Sequence, residues 1–188
     1  KQELDKLLCE KYPKMMVNRN RDMKETCMCW GFECGDGWYN ILNQLMCQIQ
    51  HHIDWAEKQR IWAMEYNAMA TQAKAGNFDL FDESMKAHSP EQKETRLMEI
   101  IAGDFSEVPD AIHQVTLDQV KEKFGTLRFY YSGGDEYISG LCSMAESMSA
   151  VTCEECGNPG KTVGGGWRTT LCKEHAEARD IYTEEEDD

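Results

Sequence analysis

From Trp38 to Ala73 a mostly apolar set of positions (Trp38, Ile41, Leu45, Gln48, His52, Trp55, Gln59, Trp62, Tyr66, Met69, Ala73) recurs at alternating steps of three and four. That period is helical. With Asp36 available as an N-cap and Gly76-Asn77 as a stop, it predicts one long helix, or two with a kink, over 38–75. At ~1.5 Å per residue such a helix approaches ~57 Å, longer than a domain of this size is wide. Part of the stripe must therefore project, fold back as a hairpin or be covered by another chain. In the first half a second row (Leu42, Met46, Ile49, Ile53, Ala56) widens the apolar face and suits burial in the chain's own core. In the second half the face narrows. Trp55, Trp62, Tyr66 and Met69 suit packing on the chain's other helices, or else a partner or dimer surface rich in Trp, Tyr and Met.

The remaining pattern supplies shorter elements. Leu4, Leu7 and Leu8 predict an amphipathic helix ending near Pro13. Ser89-Pro90-Glu91-Gln92 reads as an N-cap, a first-position proline and a capping-box partner, opening a helix that Gly103 ends. Val115–Val120 and Thr126–Ser132, rich in β-branched and aromatic residues around Gly125, predict a β-hairpin closed by Gly133-Gly134. Helical spacing returns from Asp135 to Ser149. The order predicts an α+β protein: a mainly helical body with a long amphipathic helix and a β-hairpin over 1–149, a small zinc module over 150–179, and an acidic disordered tail over 180–188.

The tail changes how the charge is read. The formal net charge is −14, yet six acids lie in Asp180–Asp188 with no base, leaving −8 for the rest. Such a run is either solvated or docks on a basic partner. Nucleic acid is not an expected partner, because phosphate contacts need clustered Lys and Arg. No apolar run approaches the ~20 residues of a membrane helix, and Lys1–Glu10 lacks the apolar block of a secretory signal. The nine cysteines are an odd number in a chain long for a disulfide scaffold, so reduced thiols in a cytoplasm are expected.

Cys153, Cys156, Cys172 and His175 form a Cys-x2-Cys…Cys-x2-His set, the spacing that closes a tetrahedral Zn2+ site. With four protein ligands the ion has no open position for water, so its role is structural. Trp167 is expected to cover it. Cys27, Cys29 and Cys34 are an incomplete second set that needs a fourth ligand such as His51, His52 or His113; thiols packed beside Trp30, Phe32 and Trp38 are the simpler reading. The loop Gly35, Asp36, Gly37 and Trp38, at the mouth of the long helix, could present amides to an anion, with Arg128 and Tyr130 on the hairpin as further contacts. A capping Asp36 would instead fill those amides and repel a phosphate. Lys121, Lys123 and Arg128 are the one basic concentration and read as a solvated face. His51, His52, Asp54 and Glu57 share a helix but not a face, and no catalytic residue is assigned.

Three stretches, Glu33-Cys34-Gly35-Asp36-Gly37-Trp38, Val120 through Tyr130 (VKEKFGTLRFY), and Cys153-x2-Cys156-Gly157 with Gly165-Gly166-Trp167 and Thr170-Leu171-Cys172-x2-His175, together resemble an uncharacterised group of phage and prophage proteins. The resemblance implies a bacterial cytoplasm and an accessory gene of a mobile element. Residues 77–109 take no part in it. The leading expectation is a non-enzymatic, zinc-stabilised binding protein acting stoichiometrically on a host protein, as a counter-defence inhibitor, with a homodimer also in view. Capture of a small anionic ligand such as a signalling nucleotide, and metal-dependent hydrolysis, are the alternatives.

Overall fold

The computed structural model describes residues 2–181. In chain order the elements are α1 (Gln2–Lys11), β1 (Phe32–Glu33), α2 (Tyr39–Lys74), α3 (Asp79–Ser84), α4 (Pro90–Ala102), β2 (Thr116–Lys123), β3 (Thr126–Ser132), α5 (Glu136–Ser149), β4 (Lys161–Val163), β5 (Thr169–Leu171) and α6 (Lys173–Ala178). The architecture is α+β, with the long helix and the hairpin where the hydrophobic pattern places them. Of the acidic tail, residues 182–188 lie outside the described residues. No helix among the described residues is long and apolar enough to cross a membrane. The chain divides into two compact units, one running to Ile53 and resuming at Ile112, the other spanning Asp54–Ala111. The segment 150–179 lies within the first.

The core of the first unit gathers Leu8 of α1, Met15 and Met16, Trp38, the doubled apolar face of α2 (Ile41, Leu42, Leu45, Met46, Ile49, Ile53), the inward residues Leu117, Val120, Leu127 and Phe129 of the sheet, and Ile138, Cys142 and Ala145 of α5. Strand order is β1-β2-β3, with β1 parallel and β3 antiparallel to β2. β1 is only two residues long, and no sequence signal announces it. The outer edge of β3 is closed by α5, whose Ser149 hydroxyl and Glu146 carboxylate accept from the amides of Leu127 (2.8 Å) and Phe129 (3.1 Å). Unpaired edge amides invite pairing with another chain, and this edge offers two fewer. On the other side of β2, Asn18 donates to the Leu117 carbonyl at 2.9 Å, which satisfies the amide of one of the few buried polar side chains.

The hairpin turns through Phe124 (φ 55°) and Gly125 (φ 84°), a two-residue loop with both centres left-handed. That geometry follows the twist of the strands and favours Asn or Gly at its first position. Phe124 carries a side chain there at a cost of ~1–2 kcal/mol, offset in part by Lys123, whose Nζ lies 5.4 Å from the ring centroid. Phe124→Asn is therefore expected to stabilise the protein by roughly 0.5–1 kcal/mol in chemical denaturation. An unchanged or lowered midpoint would contradict the assigned turn.

In the second unit the far half of α2 meets α3 and α4 around Ala70, Ala73, Phe81 and Ile100. The capping box forms, with Ser89 Oγ accepting from the Gln92 amide and Gln92 Oε1 from the Ser89 amide. After α4 the chain returns along α2, held by polar side chains. Lys74 Nζ donates to the carbonyls of Ile101 (2.9 Å) and Gly103 (2.6 Å), the Asn67 amide pairs in both directions with the backbone of Ser106 (2.8 Å each), and Arg60 donates to the Pro109 carbonyl (2.8 Å). Residues 77–109 thus fold back as a helical cover on the far half of α2.

α2 is entered through the loop that carries Asp36. A single 3₁₀ turn, Asp36–Trp38, with Gly35 before it, feeds directly into the helix.

Candidate metal centre

The first half of the metal-binding set is a tight knuckle. A bridge between Thr152 and Pro159 brings the chain back on itself, the Cys153 amide donates to the Asn158 carbonyl (2.7 Å), and the Gly157 amide closes the turn on the Cys153 carbonyl (2.9 Å). The second half is built by the β4–β5 hairpin, which delivers Cys172 to the N-cap of α6 and His175 to its first turn. Residues three apart at a helix start share a side, so the thiol and the imidazole converge without strain.

All four ligand atoms lie within 4.8 Å of one another. Cys156 Sγ and Cys172 Sγ are 3.8 Å apart, Cys153 Sγ is 3.6 Å from His175 Nδ1, and Cys172 Sγ is 3.1 Å from the same nitrogen. Bonds of ~2.3 Å to sulfur and ~2.0–2.1 Å to nitrogen in a tetrahedron imply edges of about 3.8 Å and about 3.6 Å. Two of the three separations match those edges, and the third is a thiol–imidazole hydrogen bond. Three sulfurs and one imidazole nitrogen could hold a metal ion and are consistent with Zn2+.

The thiols differ in environment. Cys153 is buried and Cys156 is exposed. Burial raises the Cys153 thiol, but backbone hydrogen bonds around Cys172 and Cys156 outweigh it and bring the thiol down to about 7. The exposed Cys156 thiol is lowered by the Asn158 amide, yet its two sulfur neighbours leave it above the ordinary value. A cation bound there would take the protons' place on all the thiols. Around the cluster, among the described residues, Cys153, Val163, Leu171 and Ala176 form an apolar core with Cys172 and Ile181 packed against it, too little to fold a thirty-residue segment unaided.

The knuckle is held from outside by the small-residue loop. The Gly35 amide donates to Glu154 Oε1 (2.8 Å), the Gly37 amide to the Glu154 carbonyl (2.8 Å), and the fully buried Trp38 gives its indole N–H to the Thr152 carbonyl (2.8 Å). Burial pushes the Glu154 carboxyl up, against the pull of the Gly35 amide. In the expected anion cradle at Gly35, Asp36, Gly37 and Trp38, the Gly35 amide is thus taken by the carboxylate and the Gly37 amide by the backbone carbonyl of Glu154, which lies between the first two cysteines. From the hairpin side, Thr170 Oγ1 donates to the Gly125 carbonyl (2.5 Å). Three stretches far apart in the chain converge here: the loop, the hairpin turn and the two metal knuckles.

No family model, curated protein or solved structure matches the chain.

Several expected site residues lie elsewhere. Trp167 does not cover the cluster: it is 84 % exposed in the loop between β4 and β5, carried outward by the turn at Gly164. Arg128 folds back on its own strand, donating to Thr126 Oγ1 and the Leu127 carbonyl, and Tyr130 is exposed with Lys121 Nζ 5.6 Å from its ring. Cys27, Cys29 and Cys34 make no metal-binding group among the described residues. Cys34 is buried in the core, Cys29 donates to the Thr26 carbonyl (3.2 Å), and Cys27 is exposed. Of the aromatic stripe, Tyr66 and Met69 turn toward the core of the second unit while Trp55 and Trp62 stay exposed.

One pair has no precedent in the pattern of either segment. His52 Nε2 lies 2.8 Å from Asp135 Oδ2, and the imidazole stacks on Tyr137 at 4.4 Å. Burial raises the Asp135 carboxyl, but hydrogen bonds from His52 and the Ile138 amide win and hold it below the usual carboxylate value. Asp135 is also the N-cap of α5, so the pair fixes the start of that helix against α2.

Proposed function

We propose that the chain is a zinc-stabilised binding protein of phage type that acts stoichiometrically on a host protein in the bacterial cytoplasm, as a counter-defence inhibitor. The observation that carries this reading is the contrast between a metal set completed by four protein ligands and an aromatic pair left facing solvent. The first is a scaffold device. The second, Trp55 and Trp62, half exposed and edge-to-face at 5.8 Å with Lys58 Nζ 5.7 Å from the Trp62 ring, has the composition of a protein-binding hot spot. The resemblance to phage and prophage proteins supplies the setting.

The test compares the wild-type chain with the Trp55→Ala/Trp62→Ala variant as bait in lysates of several bacterial hosts. A host protein that co-elutes with the wild type at a one-to-one ratio and is lost from the variant supports the reading. Hot-spot tryptophans are worth ~2 kcal/mol or more each, so affinity is expected to fall at least ~30-fold per residue. Unimpaired capture by the variant removes the aromatic pair from the proposal, and no partner in any host removes the function.

A further inference from the structure

Val120, Leu127 and Phe129 point into the core, so the residues alternating with them form the outward face of the β2–β3 hairpin. On that face Lys121 stands directly opposite Arg128 in the register, with Tyr130 two residues along β3 and Lys123 leading into the turn. Two local costs meet there. Like charges directly opposite one another destabilise a sheet, and no ion pair among the described residues relieves Lys121, Lys123 or Arg128, in a chain with 34 acids to 20 bases. The second cost is Phe124, which holds a left-handed φ of 55° with 65 % of its surface exposed. It neither suits the turn nor fills the core, and a residue kept against its backbone preference at an exposed site points to something it binds. The β4–β5 hairpin, tied to the same turn through Thr170 and Gly125, carries the exposed Trp167 and Arg168. We infer that this face binds single-stranded nucleic acid, its phosphates on Lys121, Lys123, Arg128 and Arg168 and its nucleobases stacked on Phe124, Tyr130 and Trp167.

One ligand of this kind relieves both costs. A phosphate between Lys121 and Arg128 supplies the missing negative charge, and every nucleobase has a face for an exposed ring. Lys121 Nζ lies 5.6 Å from the Tyr130 ring centroid and Lys123 Nζ 5.4 Å from that of Phe124, so each ring has an ammonium within reach of the phosphate beside a stacked nucleobase. Arg128 uses only Nη1 on its own strand and keeps Nη2 and Nε for an anion. Of the acids nearby, Glu122 and Glu154 are taken by the Gly125 and Gly35 amides (2.5 and 2.8 Å), and Glu33, level with Lys121 on β1, accepts from Gln119 (3.1 Å). Other polyanions answer half of this pattern. An acidic peptide neutralises the cations and leaves the rings in water, and a duplex keeps its nucleobases stacked on one another. Arg128 and Tyr130 sit on the flat of a strand, not at a loop tip that could enter an anionic bilayer. The net charge of −14 argues against nucleic acid over the surface as a whole, but screening within ~8 Å at physiological salt lets a local group of cations act by itself. The inference stands apart from the host-protein reading, whose tryptophans belong to the second unit.

A fluorescein-labelled single strand of mixed sequence, about 15 nucleotides long, is titrated with the full chain as RNA and as DNA, and binding is read by fluorescence anisotropy. Log affinity should fall against log salt with a slope of about −3, from four phosphate contacts at ~0.7 each. Phe124→Asn should weaken binding roughly 5- to 100-fold, as loss of a stacking ring does, while raising the denaturation midpoint, so the weakening is not loss of fold. Tyr130→Ala, which removes an exposed ring from a strand, should weaken it over the same range. Lys121→Gln with Arg128→Gln should flatten the salt slope by about 1.4, for two lost contacts. Binding of RNA alone or of DNA alone supports the inference and names the source. It is overturned if neither strand binds, or if Phe124→Asn and Tyr130→Ala bind as the wild type does. Competition by the matching duplex, a polyglutamate peptide or phosphatidylserine vesicles as effective as that of the unlabelled strand overturns it equally.

Discussion

Stripping the metal with a strong chelator is expected to unfold the segment from Thr152 to Ile181 and to free the Gly35–Trp38 loop, while the helices of the second unit persist. The segment's own apolar core is four buried residues, and two strands of three residues each cannot make up the difference. Structural zinc in small peptides supplies ~10–16 kcal/mol at neutral pH, comparable to the ~5–15 kcal/mol total stability of a typical domain. The loss here should be smaller than that of a free-standing module. Gly35, Gly37, Trp38 and Gly125 hold the knuckle from outside through hydrogen bonds each worth ~1 kcal/mol net. Elemental analysis should give one metal ion per chain. Cys172→Ser should reproduce chelation, because Cys172 is both a ligand and the residue that starts α6. Hydrogen exchange should show protection lost at Glu154, Gly157, Gly35 and Gly37 and kept along α4. A chelated protein with unchanged exchange at those amides would show that packing, not the ion, holds the knuckle.

What was legible in the sequence was what neighbouring residues decide among themselves. The capping box at Ser89 and Gln92, the stop at Gly103, the β2–β3 hairpin and the helix after Asp135 all rest on local rules, and all are found. The metal set is likewise local, since each knuckle is a pair of ligands three positions apart and the two need only a hairpin between them. The doubled apolar face of α2's first half also announced which half enters the larger core.

The rest depended on contacts between residues far apart in the chain. The loop around Asp36 is positioned by Glu154 and Thr152, and no spacing rule links those segments. The same contact answers the anion question: one loop amide, that of Gly35, does bind a carboxylate, supplied from between the metal ligands, and the Gly37 amide takes that residue's backbone carbonyl. Trp167 was expected over the cluster because it is large and nearby in sequence; a left-handed turn at Gly164 directs it away. β1 and α3 are too short to leave a periodic trace, and the strap from Gly103 to Pro109 is held by Lys74, Asn67 and Arg60, polar residues that the helical pattern assigns to solvent.

The strongest single-residue test of this coupling is Gly37→Ala. A methyl group at residue 37 would sit 2.2 Å from the Cys153 carbonyl oxygen, 2.6 Å from the Gly157 amide nitrogen and 2.7 Å from that of Cys156. All three are backbone atoms of the knuckle, so no side chain can swing aside. Either the loop withdraws, breaking the Gly37 to Glu154 and Trp38 to Thr152 hydrogen bonds, or the knuckle shifts and spoils the spacing of two thiols. Crowding of this kind costs ~1–3 kcal/mol, occasionally more, and an unmatched buried carbonyl adds ~1–3 kcal/mol. Support around a metal set is typically worth 10–100-fold in affinity, and Gly37→Ala is expected at the upper end in competition with a chromophoric chelator. Trp38→Phe is the graded comparison. It keeps most of the buried ring and loses only the donation to Thr152, so its effect on metal retention should be several-fold smaller. If Gly37→Ala retains metal as the wild type does, the loop and the knuckle are neighbours without being partners, and the convergence of the three stretches on the metal centre has no energetic content.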